Sequence, residues 1–163
     1  MYETGQERAM VGEKFSRIAE AQSSELAESL VRRLTSSPRT LAYQKVNQAE
    51  LHEELFALLH SLTDWLVCRP PEDVEAFCAG LGRKRASENV PLEQGVIAMI
   101  TCRDALLDLL LAHRMRSKAQ PQHTPGLFDE MEFVLALNHF FDDAIFYFMR
   151  AYQANACERT QVA

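Results

Sequence analysis

Apolar residues recur along this chain at steps of three and four, the spacing of a helix with one buried face. Phe15, Ile18, Leu26, Leu30 and Leu34 keep that spacing, with Gln22 in the same series, and predict a first helix over about residues 6–36. Glu13, Arg17, Glu20, Glu28 and Arg32 fall off the stripe, as a solvated face requires. The segment TSSPRTLAYQKVNQ then breaks the period. Its Pro38 and polar run predict a loop, and its Leu41, Tyr43 and Val46 predict that the loop is pinned to the body. Leu51, Leu55, Leu58, Leu62 and Trp65 line a second helix over about residues 48–67. Pro70 and Pro71 stop it, and Glu72 and Asp73 suit the first turn of a third, over about residues 71–88, that buries Val74, Phe77 and Leu81. A fourth is expected over about residues 91–116, and a fifth over about residues 127–156. No stretch alternates with period two, so the pattern predicts an all-α fold: one helical bundle of about five main helices.

Two places in this pattern carry more than periodicity. The fifth helix has two apolar stripes roughly 100° apart. One holds Phe128, Met131, Val134, Asn138, Phe141, Ile145, Phe148 and Tyr152; the other holds Phe133, Leu137, Phe140, Ala144, Tyr147 and Ala151. A helix covered on two sides is central in a bundle or divided between core and a partner. Phe133, Leu137, Phe140 and Tyr147 are therefore expected to form a dimer interface. The second place is the stretch RASENVPLEQGVIAMITCRDALL. Asn89 tolerates the left-handed conformation that ends many helices, Pro91 suits the first helical position, and Glu93 opposes the positive end of the next helix. Beyond this corner Arg103 shares an arc with Val96, Met99, Ile100, Leu107 and Leu110. A cation on such an arc is expected to be largely buried and paired with an acid, most readily Asp142, with Asp143 and Asp64 as other partners. The run Arg83-Lys84-Arg85 reads as a solvated helix end complementing the dipole.

Composition narrows the function classes. The 163 residues fit one domain over residues 1–163, with 1–8 and 157–163 expected to fray. A formal charge of −6 argues against nucleic acid and anionic membranes as partners. The polar, acidic start MYETGQERAMVGEKF lacks the cationic and apolar parts of a signal peptide, and no apolar run spans a membrane, so a cytoplasmic protein is expected. Cys68, Cys78, Cys102 and Cys157 show no C-x-x-C pairing and read as reduced thiols, with no metal site.

Catalytic templates fail. None of His52, His60, His113, His123 and His139 follows a glutamate by three residues, as a di-iron bundle requires. There is no H-E-x-x-H, P-loop, nucleotide-binding glycine motif or G-x-S-x-G. His60 with Asp64 and His139 with Asp143 are spaced to touch along a helix, the ordinary geometry of surface contacts. No enzyme and no cofactor are expected. A haem held by His60, His113 or His139 is conceivable but has no C-x-x-C-H to attach it.

A family resemblance rests on three stretches: ELAESLVRRLTSSPRTLAYQKVNQAELHEELFALLHSLTDWL, FCAGLGRKRASENVPLEQGVIAMITCRDALLDLL and FFDDAIFYFMRAY. They resemble the N-terminal helical domain of RsbT co-antagonist (RsbRD-type) stress regulators, a module also found ahead of sensor kinases. Arg85-Ala86, Val90-Pro91-Leu92 and Cys102-Arg103 match its short motifs, while Asn89 stands where the family has glycine. The resemblance implies a dimeric input module that signals by protein contact, with a STAS-domain protein, an anti-sigma switch kinase or a histidine kinase as partner. The alternative expectation is a sensor binding a small molecule or haem between the fourth and fifth helices, with Arg103, Asp142, Asp64 and His139 as ligand or ion-pair candidates.

Overall fold

The computed structural model describes residues 17–68, 71–117 and 127–162, with some side chains near the ends of those spans left outside the description. Every described element is helical. A helical turn at 17–21 leads into α1 (Ser23–Ser36), followed by a 3-10 segment (Pro38–Lys45). Then come α2 (Gln48–Cys68), α3 (Pro71–Ser87), α4 (Leu92–Ser117) and α5 (Leu127–Val162). The fold is all-α. Among the described residues, no helix is long and apolar enough to cross a membrane.

The boundaries follow local chemistry. The predicted first helix is interrupted at Gln22, whose φ/ψ of −108°/6° is non-helical, and the Ser23 hydroxyl donates to the Glu20 carbonyl across the break. Its predicted part before residue 17 lies outside the described residues. Asn47 caps α2: its Oδ1 accepts from the Ala49 N–H at 3.0 Å, while its Nδ2 donates to Glu50 Oε1 at 3.3 Å. α5 runs to Val162, beyond the predicted end at Ala156.

The segment predicted as a loop is a short 3-10 helix that closes one side of the bundle. Tyr43 and Val46 are buried as expected, but Leu41 is 52% exposed. Thr40 is the additional anchor. Its fully buried hydroxyl donates to the Leu34 carbonyl at 2.6 Å, which satisfies an end of α1. The Ala42 N–H donates to Gln94 Oε1 at 2.8 Å and ties the segment to α4.

The corner between α3 and α4 closes as a Schellman turn. Asn89 has φ 58°, the only positive φ of a non-glycine residue among those described. The Val90 N–H reaches back to the Arg85 carbonyl at 3.0 Å and the Asn89 N–H to that of Ala86 at 3.2 Å. Val90 itself is buried, and its carbonyl accepts from the Tyr152 hydroxyl at 2.8 Å, pinning the corner to α5. Pro91 sits one residue earlier than expected, at the cap. Its carbonyl accepts the first helical bonds, from Gln94 and Gly95.

The core runs the length of the bundle through Leu30, Leu34, Leu59, Leu62, Leu106, Leu137, Phe141 and Phe148. The most extensive pairing is α3 on α5. It depends on Gly82, where any Cβ would fall on the Phe148 carbonyl oxygen. The Phe148 ring lies against Gly95 of α4, so that one residue is seated between two glycines, its backbone on Gly82 and its ring on Gly95. Trp65 of α2 joins the same core, with its ring 5.4 Å from Phe77 and 5.6 Å from Phe140.

The second stripe of α5 and most of the first, from Phe141 onward, face this core, which corrects the expected interface. Phe133, Leu137 and Phe140 are buried within the chain, and Tyr147 is partly buried against the core. The exposed apolar residues of α5 are Met131 (57%), Leu135 (55%) and Phe146 (57%). Helical geometry places them on a third arc, roughly 160° from the second stripe. The neighbouring helices cover Phe133, Leu137, Phe140, Ala144 and Ala151 and leave only part of Tyr147 in reach of a partner.

Candidate functional site

α3 ends by carrying a cation into the interior. Val74, Cys78, Gly82, Arg85 and Ala86 form its buried face, so Arg85 lies where a hydrophobe would ordinarily be, at 3% exposure. The guanidinium meets two carboxylates and a ring. Nη1 donates to Glu88 Oε2 at 2.5 Å, Nη2 donates to Glu54 Oε2, and Cζ lies 5.5 Å from the centre of the Tyr43 ring. Lys84 extends the network towards solvent: its Nζ is 2.6 Å from both Glu54 Oε1 and Glu50 Oε2. Glu54 thus bridges two cations, and the chain Glu50–Lys84–Glu54–Arg85–Glu88 fastens α2 to the end of α3.

A small cavity of about 30 Å³ adjoins this cluster. Tyr43, Glu54, Arg85 and Cys102 contribute its polar atoms, and residues such as Leu34, Leu58, Met99 and Phe148 its apolar wall. Every main helix and the 3-10 segment reach it, so it is central, not confined to a gap between α4 and α5. Its volume is on the scale of one or two water molecules.

The surroundings set the protonation states. Burial pushes the Tyr43 phenol up to about 12, with the Arg85 charge opposing that rise. Burial also raises the Cys102 and Cys78 thiols to about 12, which makes both poor nucleophiles at neutral pH. For Arg85 burial acts to lower the pKa, but Tyr43, Glu54 and Glu88 outweigh it and the cation is held above its ordinary value. Hydrogen bonds to Glu50 and Glu54 raise Lys84, and the bond from Lys84 lowers exposed Glu50. The cluster contains a fixed positive charge and saturated partners. Neither the Tyr43 phenol nor the Cys102 thiol is an activated nucleophile there.

The residues expected to form the site lie elsewhere. Arg103 is half-buried, with its side chain 26% exposed, and donates through Nε and Nη2 to Oδ1 of Asp104, its chain neighbour, at 3.3 Å. Asp142, Asp143 and His139 are exposed on α5, so the Arg103–Asp142 pair does not form. The physical reason is the orientation of α4. Its core-facing positions are Ala98, Met99, Cys102, Ala105 and Leu106, and Arg103 stands at the margin of that face. Asp64 belongs to α2, but its side chain lies outside the described residues. Of the haem candidates, His60 is exposed and stacks on Phe56 with ring centres 5.6 Å apart.

Arg85 is the buried cation that sequence reasoning assigned to solvent. A signal was available: Val74, Cys78, Leu81 and Arg85 keep a three-four spacing that Arg83 and Lys84 do not share. Periodicity alone favours Arg103, because its apolar arc is longer.

These features define the protein as an all-helical bundle with a buried, acid-paired arginine at its centre and an exposed apolar arc on α5. Residues 24–162 match the family described as the RsbT co-antagonist protein rsbRD N-terminal domain, and the chain belongs to that family. It is a family of signalling domains. No curated protein and no solved structure gives a significant match.

Proposed function

We propose that this chain is a non-catalytic, cytoplasmic regulatory domain of stress signalling that acts by protein–protein contact, self-associating through α5. The observation that carries this reading is the exposed arc of Met131, Leu135 and Phe146 on a helix whose other faces already build the core. Large apolar side chains aligned on a rigid helix are what a partner buries. The centre supports the same reading, since Arg85 is taken up by Glu54 and Glu88 and the adjoining cavity is far smaller than a haem. An output protein, whether a STAS-domain protein, a switch kinase or a histidine kinase, would then read the assembled surface.

Sedimentation over a concentration series tests this. The native chain is expected to pass from monomer to dimer. Phe146→Asp and Leu135→Asp are expected to remain monomeric while losing less than about 1 kcal/mol of stability, because both positions are solvent-exposed. A native chain that stays monomeric into the hundreds of micromolar sinks the proposal. Phe140→Asp is the contrasting variant: it places a charge in the core and is expected to unfold the bundle.

A further inference from the structure

We infer that the second copy docks antiparallel on α5, with Leu135 against Phe146 and His139 against Asp142 across the two-fold. This rests on the self-association proposed above and adds the register and the polar contact that selects it. At 100° per residue, Met131, Asp142, Leu135, Phe146 and His139 fall in that order within an arc of about 80°. All five are exposed. Along the helix axis this face is apolar towards both ends, with Met131 and Leu135 at one and Phe146 at the other, and polar in the middle, with one hydrogen-bond donor and one carboxylate. Among the described residues, neither His139 nor Asp142 has a partner inside the chain.

An isologous contact pairs residue i with residue j and j with i, so the face has to complement itself. A two-fold perpendicular to α5, passing between Phe140 and Phe141, sets Leu135 level with Phe146 and His139 level with Asp142. Both pairs occur twice. Each imidazole N–H then meets a carboxylate at the centre, and each leucine meets an aromatic ring on either side. Arg150 lies over the outer part of that ring, 5.5 Å from its centre, and is itself held by Glu75.

The competing registers lack this match. A parallel pairing places Asp142 on Asp142 and His139 on His139, a carboxylate repelling a carboxylate. An antiparallel pairing slipped by one heptad sets Asp142 against Phe146 and Leu135 out of reach of any ring, and the Arg150 beside Phe146 is already held by Glu75. Charge and shape therefore favour one alignment, and the occupant that fits it is another copy of this chain.

Charge exchange tests the register separately from dimerisation itself. His139→Asp sets two carboxylates against each other twice per dimer and is expected to weaken self-association by at least about tenfold. Asp142→Lys sets a lysine against His139 and is expected to weaken it too. The double variant His139→Asp/Asp142→Lys recreates both pairs in reversed order and is expected to return within about threefold of native.

Cysteine pairs supply a second readout, in a Cys157→Ser background. Leu135→Cys/Phe146→Cys is expected to form a disulfide between subunits on oxidation. Either single variant is not, because its two copies lie about 16 Å apart along the helices. A dimer that ignores the charge exchange, or that cross-links through a single variant, overturns this register and leaves the proposed function standing. A monomeric native chain overturns both.

Discussion

Two arginines eighteen positions apart show what decides burial at the level of single residues. Arg103 follows a long apolar arc and Arg85 ends a basic run, yet Arg85 is the one inside. Partners settle it. Arg85 finds Glu54 on another helix and Glu88 one turn on, whereas among the described residues Arg103 has only Asp104 beside it. Replacing Arg85 with Met leaves Glu54 with Lys84 alone and Glu88 without its cation. The expected cost is about 2–4 kcal/mol, below the extreme for a broken buried pair because Lys84 remains. Arg103→Met is expected to stay within about 0.5 kcal/mol of native. Urea denaturation of the two variants side by side checks the contrast, and equal losses would put the anchoring charge in the wrong place. The acids that hold Arg85 were not legible beforehand, since Glu54 lies on the half-polar side of α2 and nothing in its local spacing marks it as bound. The order of helices around the bundle decides such pairs, and periodicity carries no information on it.

At the level of elements the sequence was most legible where chemistry is local. Asn89 at a left-handed position, Glu93 in the first turn of α4 and Pro71 at the start of α3 each mark a boundary with side chains already in view. Asn89→Ala is expected to cost about 1–2 kcal/mol and Asn89→Gly nearly nothing, since only the Cβ opposes that φ. Less legible was which stripe of α5 faces solvent. Two stripes could be counted, but their coverage depends on how closely α3 approaches, and that rests on one atom missing at Gly82. The two interior glycines of α3 accordingly have opposite expected signs. Gly80→Ala meets nothing within 4 Å and gains helix propensity, a stabilisation of up to about 1 kcal/mol. Gly82→Ala drives a methyl onto the Phe148 backbone and is expected to lose about 2–4 kcal/mol, more than propensity restores. Thermal melts of both variants test the pair, and a stable Gly82→Ala would show that α3 and α5 can separate cheaply.

On the scale of the whole molecule, the buried centre has a consequence in alkaline solution. Tyr43, Cys78 and Cys102 are all buried on different elements, and burial raises all three to about 12 from ordinary values of 10.0, 9.0 and 9.0. Raised groups stabilise the fold below their unfolded pKa and cease to do so as pH climbs towards the folded one. Between pH 9 and 12 the unfolded chain releases these protons first and binds fewer of them, so stability falls as pH rises. While a group titrates only in the unfolded chain, each pH unit removes about 1.4 kcal/mol for that group. The thiols act from pH 9 and the phenol from pH 10. Denaturation midpoints measured from pH 7 to 11 are therefore expected to hold level to about pH 8.5 and then drop with increasing slope. Cys78→Ala and Cys102→Ala should each flatten the early part, and Tyr43→Phe the later part, whatever they cost at neutral pH. A native profile level through pH 11 would mean that water or a neighbouring cation reaches these groups. The centre would then be open to small molecules, and a ligand-sensing role would regain ground over one confined to protein contact.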